Sequence, residues 1–125
     1  MKTVRKKVMV VDDEPDTADI IRLVLEAEGY EVTTAASGIE ALEKIKDEVP
    51  HIIMTDISMP DMNGWEFIKK ARESLNSIPF IVVTGRKEST DRIMGKDILK
   101  INDYIYKPFG RKELVNSVRS VLQVI

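Results

Sequence analysis

Five polar residues in four separate segments of the chain stand directly after short apolar runs. Asp12 and Asp13 follow the first run, Asp56 the third, Thr84 the fourth and Lys107 the fifth. If these side chains meet, three carboxylates repel one another by roughly 3 kcal/mol per pair at 5 Å and an effective dielectric constant of 20, so they need a cation. Hard oxygen ligands suit Mg²⁺, which keeps waters and accepts phosphate oxygens. A hydroxyl and an ammonium beside it would hold further phosphoryl oxygens, so the set predicts a phosphoryl-transfer site.

Each of these residues also has an ordinary structural interpretation. Asp12, Asp13 and Glu14 precede Pro15, so they could simply cap a helix and complement its dipole. The other three could be a turn residue, a strand end and a solvated lysine. The functional interpretation therefore depends on the fold bringing all of them to one place.

The apolar pattern alternates between short β-branched runs and longer stretches with helical periodicity. It predicts strands at Lys7–Val11, Tyr30–Thr34, His51–Thr55, Pro79–Val83 and Asp103–Tyr106. It predicts helices from Pro15 to Gly29, from the cap Ser37 to Pro50, after the turn Pro60–Gly64, over Glu88–Lys100 with Ile93, Met94 and Ile98 facing inward, and at the end of the chain with Leu114, Val118, Val121 and Leu122.

This alternation predicts an α/β fold, a doubly wound five-stranded parallel sheet with helices on both faces. The expected strand order is the flavodoxin-like 2-1-3-4-5. Ligands of such sheets bind at the carboxyl ends of the strands, beside the switch in strand order between strands 1 and 3. That edge is where the five polar residues converge, which favours the functional interpretation.

Composition narrows the class of protein. The 125 residues suffice for one domain, expected to span 1–125, and the absence of cysteine excludes a disulfide framework and a cysteine-based zinc site. A net charge of −2 gives no reason to expect nucleic-acid binding, and the basic cluster of Lys2 and Arg5 to Lys7 is interpreted as a solvated strand edge. No apolar run is long enough for a signal peptide or a membrane span, so we expect a cytoplasmic protein that does not contact a membrane.

Four motifs, Val10–Glu14, Met54–Gly64, Val83–Gly85 and Asp103–Phe109, occur in this order over nearly the whole chain. Together they resemble the receiver domain of two-component response regulators, chemotaxis regulators among them. The resemblance implies that a sensor histidine kinase or phosphotransfer protein phosphorylates the domain, which then switches a downstream protein or attached effector domain. It also implies a switch that modifies only itself, not an enzyme acting on a separate substrate, and it leaves open a phosphorylation-dependent dimer.

The resemblance also implies a role for each site residue. Asp56 would be the phosphorylated residue, Asp13 a direct Mg²⁺ ligand, Asp12 a ligand largely through water and the Ser58 carbonyl a further ligand. Thr84 and Lys107 would contact the phosphoryl group, Thr84 and Tyr104 would form the switch, and the Lys107–Pro108 bond would be cis. The chain departs from the family pattern at Lys100 and Ile101, where Gly-Ala is usual, so the end of the fourth helix is the region least defined by the resemblance.

Three other classes of protein are weighed against this one. A Rossmann or flavodoxin-like cofactor binder needs a glycine-rich or hydroxyl-rich phosphate loop after the first strand, where Asp12 and Asp13 would repel phosphate. A phosphatase of the haloacid-dehalogenase type needs Asp-x-Asp there. A receiver-like interaction module that is never phosphorylated is disfavoured by the complete set of acids, Thr84 and Lys107.

Overall fold

The computed structural model describes residues 5–75 and 77–123. Its strands are β1 (Lys7–Val11), β2 (Glu31–Ala35), β3 (Ile52–Thr55), β4 (Phe80–Thr84) and β5 (Asp103–Tyr106). Its helices are α1 (Pro15–Ala27), α2 (Gly38–Asp47), α3 (Gly64–Ser74), α4 (an α-helical turn Ser89–Arg92 followed by a π-helical segment Ile93–Ile98) and α5 (Arg111–Gln123).

The five strands form one parallel sheet in the order β2-β1-β3-β4-β5. The predicted fold class and strand order are therefore confirmed. The predicted bounds of β1 and β5 match the structure, whereas β2, β3 and β4 each begin one residue later than predicted and β2 and β4 also end one residue later.

Two hydrophobic clusters lie on opposite faces of the sheet, because alternate residues of each strand point to opposite sides. Met9 and Val11 of β1 pack with Phe67 and Ile68 of α3 on one face. Val8 and Val10 pack on the other face with α1 and α5, through residues such as Leu25. Methionines contribute to both clusters, with Met9 buried in the first, Met54 buried in the second and Met94 packed against the first.

Local sequence explains where the helices begin. Pro15 occupies the first turn of α1, where its missing N–H is not needed. Ser37 caps α2, as predicted, by accepting a hydrogen bond from the Glu40 N–H at 3.1 Å. Asn63 and Glu66 form a reciprocal capping box at the start of α3.

The prediction for α4 was right that Met94 packs inward but wrong for Ile93 and Ile98. Ile93 and Ile98 are 51% and 60% exposed, whereas Asp91 and Gly95 are buried and Met94 is half-buried. The segment is π-helical, with wider turns than an α-helix, and so the apolar residues do not fall on the inner face that α-helical spacing predicts.

Among residues 5–75 and 77–123, no helix combines the length and the hydropathy that a membrane crossing requires. In the basic cluster at the start of the chain, Arg5 and Lys6 are exposed and Lys7 is half-buried, and Lys2 lies outside the described residues.

Candidate functional site

The carboxyl ends of the parallel strands bring the predicted acidic residues together. Asp12 and Asp13 follow β1 and Asp56 follows β3, its neighbour in the sheet. One carboxylate oxygen from each of the three lies within 4.8 Å of those of the others. Asp12 and Asp56 are buried and Asp13 is exposed, so the cluster opens to solvent on one side.

Lys107, just after β5, supplies the positive charge of this cluster. Its Nζ lies 2.9 Å from Asp12 Oδ2, 2.9 Å from Asp56 Oδ2 and 3.2 Å from Glu14 Oε1. Burial lowers the pKa of Lys107, but hydrogen bonds to Asp12 and Asp56 and their negative charges outweigh burial, so the pKa lies above its usual value. The ammonium is therefore firmly protonated and shared between two buried carboxylates.

Asp12 is held by the loop that follows it. Its Oδ1 accepts a hydrogen bond from the Glu14 N–H at 2.9 Å. Burial raises the pKa of Asp12, partly offset by this backbone hydrogen bond and by Lys107. Glu14 occupies the N-cap of α1 but makes no side-chain cap hydrogen bond, so simple helix capping does not account for the acids before Pro15.

The Asp56 carboxylate is oriented by backbone donors. Its Oδ1 accepts hydrogen bonds from the N–H groups of Ile57 at 2.7 Å and Ser58 at 3.2 Å, and Oδ2 faces Lys107. The first residue of α3, Gly64, lies in close contact with this loop. A Cβ added at Gly64 would stand 2.2 Å from the Asp56 carbonyl oxygen and 2.7 Å from the Ile57 Cα. Glycine at position 64 thus permits the close approach that fixes the Asp56 loop, a requirement that no sequence pattern had indicated.

An open cavity of about 350 Å³ lies over the carboxylates. It is lined by Asp13, Glu14, Asp56, Ser58, Thr84, Gly85, Arg86 and Lys107. The Thr84 hydroxyl oxygen accepts a hydrogen bond from the Arg86 N–H at 3.1 Å, and Thr84 itself is 1% exposed. The cavity thus brings the Asp56 carboxylate, a hydroxyl and an ammonium to one small space.

The donor set fits a divalent metal ion of the Mg²⁺ type. All three clustered groups are carboxylates, the hard oxygen ligands that Mg²⁺ prefers. Two of them already bind a cation, the Lys107 ammonium, and the third is exposed to solvent, from which an ion and its waters would enter.

Tyr104, on β5, lies outside the cavity. Its ring is 6.4 Å from that of Trp65 and 5.2 Å from that of Tyr106, measured between centroids. Within the described residues its hydroxyl is the buried side-chain polar atom that has no hydrogen-bond partner. Burial raises the pKa of Tyr104 to about 12. Tyr104 therefore does not reach the site, and its hydroxyl is buried in this structure.

Sequence reasoning missed a network beside the cavity, formed by Arg86, Asp91 and Trp65. The Arg86 guanidinium donates to Asp91 from Nε at 2.6 Å and from Nη2 at 2.7 Å. The Trp65 indole N–H donates to Asp91 Oδ1 at 3.1 Å. The hydrogen bond from Arg86 holds the pKa of Asp91 below its usual value despite burial. An acid on the inner face of a helix has no apolar pattern to reveal it.

The peptide bond between Lys107 and Pro108 is cis. The Lys107 N–H donates to the Thr84 carbonyl at 2.9 Å, which joins the ends of β4 and β5.

Comparison with known proteins identifies the family of the chain. Residues 8–119 match the model of the response regulator receiver domain. The chain is 36% identical over 118 residues to the alkaline phosphatase synthesis transcriptional regulatory protein PhoP of Bacillus subtilis and 38% identical over 114 residues to the response regulator SaeR of Staphylococcus aureus. These matches cover 94% and 91% of this chain and 49% of either relative, so the chain spans about half the length of these curated relatives.

Solved structures give the same result. The chemotaxis protein CheY4 of Vibrio cholerae superposes with a TM-score of 0.89 at 31% identity, over 94% of this chain and 99% of that one. A CheY-like receiver domain protein from Methanospirillum hungatei gives a TM-score of 0.91 at 31% identity, over 97% of this chain and 96% of that one. The chain therefore belongs to the receiver domain family of two-component response regulators, whose known function is to accept a phosphoryl group on an aspartate and thereby switch a partner or effector.

Proposed function

We propose that Asp56 is the phosphorylated residue of this receiver domain. The observation that carries the proposal is the placement of its carboxylate, which is buried, oriented by two backbone N–H groups and open to a cavity that also contains an ammonium and a hydroxyl. Asp12 does not line this cavity and Asp13 is exposed, so neither is presented in the same way.

In the proposed reaction a carboxylate oxygen of Asp56 attacks phosphorus in line with the leaving group. A new O–P bond forms while the N–P bond of a phosphohistidine donor breaks, and the imidazole nitrogen keeps that electron pair. Lys107 neutralises charge on the transferring oxygens, and the Thr84 hydroxyl, whose oxygen accepts the Arg86 N–H, donates its own proton to one of them. Small acyl phosphates can substitute for the protein donor.

Asp12, Asp13, Asp56 and the backbone carbonyl of Ser58 are the residues that we propose hold Mg²⁺. When bound, the ion neutralises the developing charge on the phosphoryl oxygens. The protein's own contribution is to keep the carboxylates close together although they repel, with Lys107 offsetting that repulsion.

We propose that the domain acts as a switch and modifies only itself. Movement of Thr84 toward the phosphoryl group and repacking of Tyr104 would change the face formed by α4, β5 and α5, which a partner or a second phosphorylated copy would then recognise. A sensor histidine kinase or phosphotransfer protein is the proposed donor, and the length of the relatives suggests an attached effector as one output. That residues 1–125 form a single receiver domain acting in the cytoplasm, with no nucleic acid bound by this domain, remains a prediction.

The test is phosphoryl transfer measured by intact-protein mass spectrometry. Wild type incubated with acetyl phosphate and Mg²⁺ should gain one phosphoryl group that hydroxylamine removes, as it does acyl phosphates. Asp56→Asn should gain none, whereas Asp61→Asn, an exposed acid of the same loop, should behave as wild type. Wild type that stays unmodified with acetyl phosphate and with phosphohistidine donors would favour the interaction-module alternative.

A further inference from the structure

Arg86 lines the cavity over Asp56, yet its side chain is directed toward a different partner. Both hydrogen bonds of its guanidinium fork go to Asp91, whose side chain is 6% exposed. The Arg86 side chain itself is 39% exposed, so it can move through solvent without breaking the core. A guanidinium fork fits a phosphoryl group as well as it fits a carboxylate.

The charges around the cavity favour such a move after phosphorylation. Arg86 and Lys107 are the two cations among the residues that line it, and Lys107 is already shared between Asp12 and Asp56. A phosphoryl group carries about −1.5 to −2 charges, which adds to the negative charge of the cluster. Arg86 is the nearby cation whose present partner lies outside that cluster.

The backbone couples Arg86 to the proposed movement of Thr84. The Thr84 hydroxyl oxygen accepts the Arg86 N–H in this structure. When Thr84 moves toward a phosphoryl oxygen, its hydroxyl oxygen draws away from the Arg86 N–H and this hydrogen bond weakens, so the loop that carries Arg86 can rearrange at the same time.

We propose that Arg86 exchanges partners when Asp56 is phosphorylated, so that its guanidinium leaves Asp91 and binds a phosphoryl oxygen. The proposal rests on the proposed function and adds to it a residue that binds the phosphoryl group and also triggers the switch. Asp91 is left buried with Trp65 as its remaining partner, which is unfavourable for a carboxylate, so the first turn of α4 must open to let water reach it.

Trp65 transmits the effect to the π-helical segment of α4. Its ring lies 3.1 Å from where a Cβ on Gly95 would stand, and the Tyr104 ring lies at the same distance from that position. A change at Asp91 therefore alters the packing of the indole against the π-helical segment and Tyr104. The exchange links the phosphoryl group to the same face of the domain that Tyr104 occupies.

The experiment uses beryllofluoride with Mg²⁺ as the phosphoryl analogue. Trp65 is the only tryptophan of the chain, so intrinsic fluorescence reports the Asp91 to Trp65 contact directly, and ¹⁹F NMR measures binding of the analogue independently. In wild type, bound beryllofluoride should change the Trp65 emission. Asp91→Asn, which frees Arg86 in advance but still offers Trp65 an amide oxygen, should bind beryllofluoride about 3- to 10-fold more tightly.

A double variant isolates the contribution of Arg86 to the exchange. Arg86→Ala alone would leave a buried carboxylate unpaired, so the informative variant is Arg86→Ala with Asp91→Asn, which should bind beryllofluoride about tenfold more weakly than Asp91→Asn. Arg92→Ala, which removes an exposed arginine from the same turn, is the control and should match wild type.

The outcomes separate this inference from the proposed function. If wild type binds beryllofluoride but Trp65 emission does not change, or if Asp91→Asn binds within twofold of wild type, the exchange is wrong while the acceptor site stands. If ¹⁹F NMR detects no Mg²⁺-dependent binding to wild type, the acceptor site itself is wrong and the exchange fails with it.

Discussion

Replacing Lys107 with methionine should strongly destabilise the metal-free protein. The variant keeps the length and apolar stem of the side chain but removes the ammonium that pairs with Asp12 and Asp56, whose side chains are 2% and 6% exposed. Each 2.9 Å contact corresponds to about 6 kcal/mol of attraction at an effective dielectric constant of 20. Desolvation offsets most of this gross attraction in the wild-type protein.

What remains after the substitution is two buried carboxylates without a cation. Removing one partner of a buried ion pair typically costs about 3–5 kcal/mol. Because domains of this kind are stable by only about 5–15 kcal/mol, the expected loss is a large part of the total. It corresponds to a fall in melting temperature of roughly 10–20 °C.

The assay is thermal and urea unfolding of wild type and Lys107→Met in EDTA and again in millimolar Mg²⁺. Mg²⁺ should stabilise the variant more than the wild type, because the ammonium no longer competes for the carboxylates. Lys46→Met, which breaks the exposed pair with Glu43, should cost less than about 1 kcal/mol. A Lys107→Met protein that unfolds in EDTA within about 1 kcal/mol of wild type would refute the pairing on which the site is built.

The pH dependence of stability gives a second check. The pKa of Lys107 is raised on folding, so protonation of Lys107 stabilises the folded protein. This contribution to stability is complete below the usual lysine pKa and is lost as pH rises through the pKa in the folded protein. The pKa of Asp12 is also raised on folding. The folded state therefore binds a proton at Asp12 more tightly than the unfolded state does, and this contribution to stability is lost as pH rises from the usual aspartate pKa through the pKa in the folded protein. In Lys107→Met the carboxylates lack their cation, so the deficit should shrink as pH falls toward about 4.

Three further outcomes are expected. Asp13→Asn should raise the melting temperature of the metal-free protein and remove most of the stabilisation by Mg²⁺, and a variant as responsive to Mg²⁺ as wild type would contradict its role as a ligand. Gly64→Ala should destabilise the domain by about 1–3 kcal/mol and slow Asp56 phosphorylation, because the added Cβ would clash with backbone atoms of the Asp56 loop. Urea unfolding measures the first effect and mass spectrometry the second. Wild-type values for both would refute the close approach of Gly64 to that loop. Lys100→Gly should stabilise the domain by about 1 kcal/mol, because Lys100 has a φ of 53°, a left-handed conformation that glycine adopts without strain. The control Lys69→Gly, within α3, should instead destabilise the domain by a similar amount. If both variants lose the same stability in urea unfolding, the left-handed conformation of Lys100 imposes no strain.

The sequence predicted most of the fold because its local signals agree with one another. Buried strands such as β1 are nearly continuous apolar runs, and Ser37 caps α2 as serine does in isolated helices. Parallel strands then bring Asp12, Asp56 and Lys107 to one edge whatever the details of the loops. That edge could be predicted because it depends on topology alone.

The α4 region could not be predicted, because its inner face is not apolar. Asp91 is buried through hydrogen bonds to Arg86 and Trp65, partners that are distant in sequence or separated by a loop. Gly95 faces inward because only a small residue fits beside Trp65 and Tyr104. Hydrophobic periodicity detects neither cause, so it wrongly placed Ile93 and Ile98 on the inward face.

The sheet separates the interior into two clusters that touch different helices. Leu25 on one side and Phe67 on the other share no packing neighbours beyond the strands between them, and substitutions at such separated positions usually have additive effects on stability. Each layer can therefore accumulate changes without compensating changes in the other. A domain layered in this way can diversify the helices on one side of the sheet while the opposite side, and the row of strand ends shared by both, stays as it is.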